Sequence, residues 1–265
     1  MIELNKISFS YNDMPFINNL NLVINKGEIL SIVGPNGSGK STILKNITKK
    51  LEYQEGNILI DNDDIRNLSA KKIAKKLAAL SQHHGSPSDF TVKQLVLYGR
   101  IPHKKWYEPM SDYDKEQINW AMEKTGVMYL ADKPVNSLSG GERQRVWIAM
   151  TLARNPKILL LDEPTTYLDI CHQLEILDLI EELNEELDMT VVMVLHDLNQ
   201  ACRYSHRVCV MKSGKIEKIG EPNKVFSSSL IRDVYKVEAI VAHDENGKVH
   251  IRPIKVFRGG KKDVE

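Results

Sequence analysis

The chain has 265 residues, of which 42% are hydrophobic, and a formal net charge of +1. That length suits one large domain or one core with an inserted lobe. The near-neutral balance argues against nucleic acid as a partner, since its binders carry a basic excess or stripe. Cys171, Cys202 and Cys209 form no C-x-x-C pair, which fits free thiols in a reducing compartment. Neither the His83-His84 pair nor His103 has metal-ligand spacing, and Lys71, Lys72, Lys75 and Lys76 read as a solvated helix face. The N-terminal MIELNKISFSYND has no apolar core of signal-peptide type, and no apolar run approaches the ~18–20 residues that span a bilayer.

In chain order, Ile2, Leu4, Ile7 and Phe9 stand among polar residues and predict a half-exposed strand, with a second strand over 20–24 (LNLVI). GEILSIVG is a short apolar run ending in glycine, a buried strand entering a tight turn. From Lys40, Ile43, Leu44, Ile47 and Leu51 recur at helical spacing. NILIDNDDI reads as strand then turn, and SAKKIAKKLAAL as one amphipathic helix. Residues of about 86–137 differ, with four prolines, clustered tyrosine and tryptophan, and helical TVKQLVLYGR and DKEQINWAMEKTG; they predict an inserted, mostly helical lobe. PKILLLDEP and MTVVMVLHD are too apolar for a one-sided sheet and suit buried parallel strands. AIVAHDENGKVHIRPIKV alternates about Asn246-Gly247, a terminal hairpin. Strand–loop–helix repetition of this kind predicts an α/β fold with a mostly parallel sheet.

Two segments carry phosphate chemistry. GPNGSGKS (34–41) satisfies G-x-x-x-x-G-K-S between a strand and a helix. Its glycines let backbone N–H groups approach phosphate oxygens, Lys40 brings a point charge to the β- and γ-phosphates, and the Ser41 hydroxyl is a natural Mg²⁺ ligand. ILLLDEP (158–164) ends a buried strand in Asp162, at the sheet edge where open α/β folds bind ligands. A carboxylate there suits Mg²⁺ held through water, and Glu163 beside it can orient or deprotonate an attacking water. A third segment, SLSGGERQRVWIAM (137–150), runs from a hydroxyl residue through two glycines into a helix. It has the makings of a second anion site, while Ser139 and Glu142 alone would also make an ordinary helix start.

With LSGGE (138–142), followed by Gln144 and Arg145, the chain resembles the ATPase subunits of ABC transporters over about residues 2–230. The resemblance implies a P-loop NTPase of ABC type, with an antiparallel N-terminal β part beside the parallel core. It places the ATPase domain at 1–235, the helical lobe at about 86–137 and a hairpin or tail at 236–265. It also implies ATP and Mg²⁺, and a homodimer in the ATP-bound state whose two chains pack head to tail. Gly34, Asn36, Gly37, Ser38, Gly39, Lys40, Ser41 and Thr42 would then hold one ATP, while Ser139, Gly140, Gly141 and Glu142 would cover the γ-phosphate on the other chain. Two anion loops in one chain thus serve two nucleotides.

By the same resemblance Tyr11 stacks on adenine, and Gln82 contacts Mg²⁺ alongside Ser41 and Asp162. Asp169 crosses the dimer interface and His196 is the switch at the γ-phosphate, completing a catalytic set with Glu163 and Lys40. Where many relatives have PTSALD or PTSHLD, this chain has PTTYLD. EPTTYLDICHQLEILDLI with FTVKQLVLYGRIPH resembles the importer branch for iron–siderophore complexes, haem and cobalamin. That branch implies polytopic permease subunits, an indirect link to a solute-binding protein, and a peripheral place on the cytoplasmic face of the membrane. An exporter subunit or a cytosolic assembly ATPase are the alternatives. The DNA-end type is excluded because no long heptad insertion is present.

Overall fold

The structure, a computed structural model, describes residues 1–12, 14–81, 90–105, 108–245 and 247–258. The strands are β1 (Ile2–Tyr11), β2 (Met14–Ile24), β3 (Ile29–Val33), β4 (Glu55–Ile60), β5 (Asp63–Asp64), β6 (Leu77–Leu80), β7 (Ile158–Asp162), β8 (Thr190–Val194), β9 (Arg207–Lys212), β10 (Lys215–Gly220), β11 (Val237–His243) and β12 (Val249–Val256). The helices are α1 (Lys40–Ile47), α2 (Ala70–Lys76), α3 (Val92–Leu97), α4 (Asp112–Lys124), α5 (Gly140–Leu152), α6 (Ile170–Leu187), α7 (Leu198–Tyr204), α8 (Pro222–Val225) and α9 (Ser228–Tyr235).

A six-stranded sheet of order β10-β9-β3-β8-β7-β6 forms the centre, parallel except for the β9–β10 pair at its edge. Successive side chains of a strand face opposite ways, and here both faces are covered. Leu159, Leu161, Val191 and Met193 enter one hydrophobic cluster with the helical lobe, α6 and α7. Leu30, Ile32, Leu160, Val192 and Val194 enter another with α1 and the antiparallel sheet β2-β1-β4-β5. This two-sided burial is why these strands read as unbroken apolar runs. The order also sets β3, β8 and β7 side by side, so their carboxyl ends open at one edge.

Three elements differ from the sequence expectation. Residues 69–80 are not one helix: α2, capped by Ser69 Oγ, stops at Lys76, and β6 follows, pairing with β7 from Leu77↔Ile158 to Leu80↔Leu161. Helical periodicity covers only the exposed part; the open edge of β7 takes the last four residues, burying Leu77, Ala78 and Leu80. The second strand starts at Met14, well before 20, because its backbone pairs with β1 through bulges that side-chain alternation does not report. The first helix ends at Ile47, with Lys49 left-handed (φ 58°) shortly after.

The lobe is helical as expected, with α3 and α4 packed on α5. A buried ion pair locks it. Arg100 Nε donates to Asp114 Oδ1 at 2.8 Å and a terminal guanidinium nitrogen donates to Ala153 O at the end of α5, at 2.7 Å. Asp114 Oδ2 also accepts from Ser111 N–H and Oγ at the start of α4. At the C-terminus β11 and β12 pair antiparallel, burying Ala239, Val249 and Ile251 in the lobe-side cluster; Asn246 of the expected turn lies outside the described residues. No helix among the described residues is long and apolar enough to cross a membrane.

Burial would raise the Asp114 pKa, but the hydrogen bonds from Ser111 and Arg100 outweigh it and hold the carboxyl at about 2. A carboxyl depressed in the folded state stabilises above its ordinary range and loses that contribution as the pH falls through its folded pKa. Asp114→Asn is expected to cost about 3 kcal/mol at neutral pH, because Arg100 is left buried without its counter-charge. In denaturant melts the gap between wild type and variant should close as the pH falls from near 4 towards 2.

Candidate functional site

β3 delivers the chain to Gly34 (φ 153°), where a Cβ would overlap the Met211 carbonyl of β9, so only glycine fits. The loop closes at Gly39 (φ 105°), which precedes α1 without a side-chain cap. The first-turn N–H groups of α1 are therefore left for an outside acceptor, the arrangement that binds anions. Lys40 is 5% exposed, and its Nζ donates to the carbonyls of Gly34 and Pro35 at 2.8 and 3.0 Å. Burial lowers its pKa, opposed by the nearby charges of Glu163 and Asp162. Ser38 Oγ is buried with no hydrogen-bond partner among the described residues.

The ends of β7 and β8 form the facing wall. Ser41 Oγ donates to Asp162 Oδ1 at 2.8 Å. Burial raises the Asp162 pKa, with the Ser41 hydrogen bond acting the other way. Glu163 adopts the left-handed region (φ 56°) with its N–H on Val194 O at 3.2 Å. Both its oxygens are held: Oε1 lies 2.7 Å from His196 Nε2, and Oε2 accepts from Thr166 Oγ1 at 3.1 Å. A strained residue fixed from two sides is the pattern of a functional group held in one pose.

These groups line one cavity of about 580 Å³, which takes in Tyr11 and Asn36, Gly37, Ser38, Gly39, Lys40, Ser41 and Thr42, with Glu163 and His196 opposite. Asp162 reaches it through Ser41 and Gly34 through Lys40. The Tyr11 hydroxyl lies 3.0 Å from Thr42 Oγ1 and the residue is 43% exposed, so plain aromatic burial does not account for it. Gln82 lies outside the described residues. Phe16, Lys45, Thr166 and Tyr167 also line the cavity and were not anticipated. Lys45 was discoverable, one helical turn after Ser41. Phe16 was hidden in the unrecognised first half of β2, and Tyr167 stands on a left-handed backbone (φ 66°) that no pattern announces.

The second glycine-rich segment does not join this cavity: its lining includes none of Ser139, Gly140, Gly141, Glu142 or Asp169. Ser139 and Glu142 form a reciprocal capping box on α5, Ser139 N–H donating to Glu142 Oε2 and Glu142 N–H to Ser139 Oγ. Asp169 caps α6 in turn, its Oδ1 accepting from His172 N–H at 3.0 Å and lying 2.7 Å from His172 Nδ1. Those hydrogen bonds lower the Asp169 pKa, the backbone one most. The ring so oriented rests on Gly141, where a Cβ would overlap it. The second glycine thus has a packing reason that the sequence did not reveal.

Comparison with known proteins agrees with this geometry. A family model described as ABC transporter matches residues 17–166. The petrobactin import ATP-binding protein FpuC of Bacillus anthracis is 44% identical over 238 residues, 90% of this chain and 88% of its own. The iron(3+)-hydroxamate import ATP-binding protein FhuC of Bacillus subtilis is 43% identical over 243 residues, 92% and 90% respectively. Among solved structures, a chain from an ABC transporter described as of metal-chelate type, in an inward-facing conformation, has a TM-score of 0.82 at 26% identity and covers 97% of this chain and 98% of its own. A dimeric ATP-binding cassette in a post-hydrolysis state with ADP and phosphate has a TM-score of 0.73 at 33% identity, covering 84% and 99%. The chain belongs to the ABC transporter family. Within that family it is an ATP-binding subunit, an ATPase of the transport cycle.

Gly141→Ala should force the His172 ring off its place and lower stability by about 1–3 kcal/mol, the usual cost of overpacking. Adding His172→Ala removes the clash, so the double variant should recover most of that loss in a chemical-denaturation cycle. Strict additivity would show that the ring and the glycine do not meet.

Proposed function

We propose that this chain powers an importer for iron complexes, siderophores foremost, with haem and cobalamin as the other cargo classes, by hydrolysing ATP in the cavity between the phosphate loop and the Glu163–His196 pair. The observation that carries the reading is that pair: a carboxylate held at both oxygens, facing Lys40 and an uncapped helix start across one cavity. The siderophore cargo is supported by the relatives, import ATP-binding proteins for petrobactin and iron(3+)-hydroxamate, while haem and cobalamin rest on the resemblance of EPTTYLDICHQLEILDLI to that importer branch.

ATP phosphates sit on the loop 34–42, where Lys40 exchanges its two loop carbonyls for β- and γ-phosphate oxygens. The buried hydroxyl of Ser38 fits the same role, since it lacks any other acceptor or donor among the described residues. Tyr11 and Phe16 offer aromatic faces for the base. Ser41 and Asp162 present the hard oxygen donors that Mg²⁺ prefers, with Gln82 as a further ligand, and bound Mg²⁺ would neutralise phosphate charge. Glu163 orients a water and takes its proton as the water oxygen bonds to the γ-phosphorus and the β–γ bridging oxygen leaves with ADP. His196 holds Glu163 and faces the γ-phosphate.

Ser139–Glu142, absent from this chain's own cavity, serves the nucleotide of a second copy packed head to tail, with Asp169 crossing between them. ATP then joins the copies, because its charge is satisfied only when both are present. Hydrolysis to two mutually repelling products reopens them, and the difference in ATP and ADP affinity between the open and closed states is the source of work. The lobe at 86–137 takes up the permease from the cytoplasmic face of the membrane, a solute-binding protein acts through that permease, and 236–265 is an appendage to the 1–235 ATPase unit. Nucleic acid has no part.

Glu163→Gln should bind ATP and dimerise in it, while phosphate release falls by about 100-fold or more; undiminished turnover would remove Glu163 from its role. Ser139→Arg should abolish turnover while the ATP Kd of the isolated chain stays put, whereas loss of that binding would put the segment on its own chain's nucleotide. For cargo and partners, the tagged chain is recovered from detergent-solubilised membranes and its companions are identified by mass spectrometry. A polytopic permease supports import, and cytosolic companions alone would overturn it.

A further inference from the structure

None of the described residues of the C-terminal hairpin lines the nucleotide cavity, yet the hairpin is tied to the chain three residues beyond the cavity's histidine. Asp197 follows His196 and caps α7, its Oδ1 accepting from the N–H groups of Asn199 and Gln200 at 2.7 and 3.0 Å. The side chains of these two consecutive residues then reach different partners. The Asn199 amide pairs with β12 as a neighbouring strand would: Nδ2 donates to Ile251 O at 3.1 Å, and Oδ1 accepts from Ile251 N–H at 2.8 Å. The Gln200 amide donates to Gln173 Oε1 at 2.7 Å, and Gln173 Nε2 donates to Leu168 O at 2.9 Å, in the loop between Thr166 and Asp169.

Apart from the contact of its Nε2 with Glu163, His196 is held mainly through its backbone flanks. It lies outside regular structure, between the end of β8 and the cap of α7, and its side chain is 45% exposed. On one flank Leu195 N–H is anchored to Ile32 O of β3. The other flank runs into α7, whose far turn is held by buried Ala201, Cys202 and Tyr204 and by the Tyr204 hydroxyl donating to Asp178 Oδ1, while its first turn, next to His196, meets the hairpin. Ile251 and Val249 pack in the same cluster as α7, but beside His196 a cavity of about 280 Å³, lined by His196, Asp197, Asn199, Tyr235 and Ile251, leaves the first turn of α7 less tightly packed. Across that gap the paired amide of Asn199 makes the polar tie. The 2.7 Å contact between His196 Nε2 and Glu163 Oε1 depends steeply on such placement, since hydrogen bonds weaken quickly with distance and angle.

We propose that the hairpin is a strap for the switch histidine. Asn199 is a positioning residue: clamped to Ile251, it sets the first turn of α7 and, through the shared Asp197 cap, the pose of His196 against Glu163. Gln200 and Gln173 pass the same reference to the backbone at Leu168. This rests on the hydrolytic reading of the Glu163–His196 pair.

The test uses the full chain with labelled histidine rings. The His196 resonance, assigned through His196→Ala, is followed together with steady-state ATP hydrolysis and the ATP Kd. Asn199 is exposed and alanine is a good helix former, so Asn199→Ala should keep the fold. Expected is a displaced or broadened His196 resonance and a kcat lower by about tenfold, with KM and Kd for ATP within about twofold of wild type. Asn199→Asp keeps the acceptor but sets a carboxylate oxygen against the Ile251 carbonyl, so it should move the resonance and lower kcat at least as far as Asn199→Ala, and it serves alone if the alanine variant does not fold. Val249→Ala thins the buried face of the hairpin without touching the clamp; it should lower Tm and leave kcat and the His196 resonance in place. An unmoved resonance with unchanged kcat in Asn199→Ala overturns the strap, and so does a Val249→Ala that lowers kcat as far as Asn199→Ala. If wild type hydrolyses no more ATP than Glu163→Gln, the hydrolytic reading has failed, and the resonance still decides whether the strap sets His196.

Discussion

The hydrogen bond from Ser41 Oγ to Asp162 Oδ1 joins segments 121 residues apart, and most of the site's geometry follows from the constraint that makes it possible. β3 and β7 flank β8 in one parallel sheet, so the phosphate loop, the acidic pair and the histidine emerge from neighbouring strand ends. Both faces of that sheet are buried, which leaves each strand little freedom to slip: a shift of one residue would exchange the two hydrophobic sets. Register in the core therefore becomes distance in the site.

Beyond the sheet, the molecule orients its functional groups by capping and close approach. Asp169 caps α6 and turns the His172 ring, the ring lies on Gly141, and Gly141 opens the helix whose start is the capping box of Ser139 and Glu142. The start of α5, proposed above to cover the nucleotide of a second copy, is thus referenced to the loop that follows Glu163. The Arg100–Asp114 pair does the corresponding work for the lobe, tying the start of α4 to the end of α5. A buried pair is a costly tie when one partner is lost, which makes it a fixed joint.

Strain sits in the same loop. Glu163 and Tyr167 both occupy the left-handed region without being glycine, a conformation that persists only where surroundings over-determine it. For Glu163 those surroundings are His196, Thr166 and the Val194 carbonyl. The hydrolytic pose proposed for Glu163 therefore draws on β8, on its own loop and, through the proposed strap, on the β11–β12 hairpin.

The sequence by itself determined the fold class and the family: the glycine spacing of 34–41, the apolar run ending in Asp162-Glu163 and LSGGE are local patterns whose chemistry is written in adjacent residues. The family resemblance also led to the expectation that the phosphate loop and LSGGE serve different nucleotides; in the structure they line no common cavity. What only the tertiary structure decided depends on partners distant in sequence. The four residues of β6 carry a helical pattern and are strand because β7 offers an open edge. Gly141 meets a ring from another helix, Phe16 reaches the cavity on a strand made by bulged pairing, and Asn199 finds its partner in β12. In each case the deciding contact is non-local, and neither periodicity nor a motif records which groups the fold will bring together.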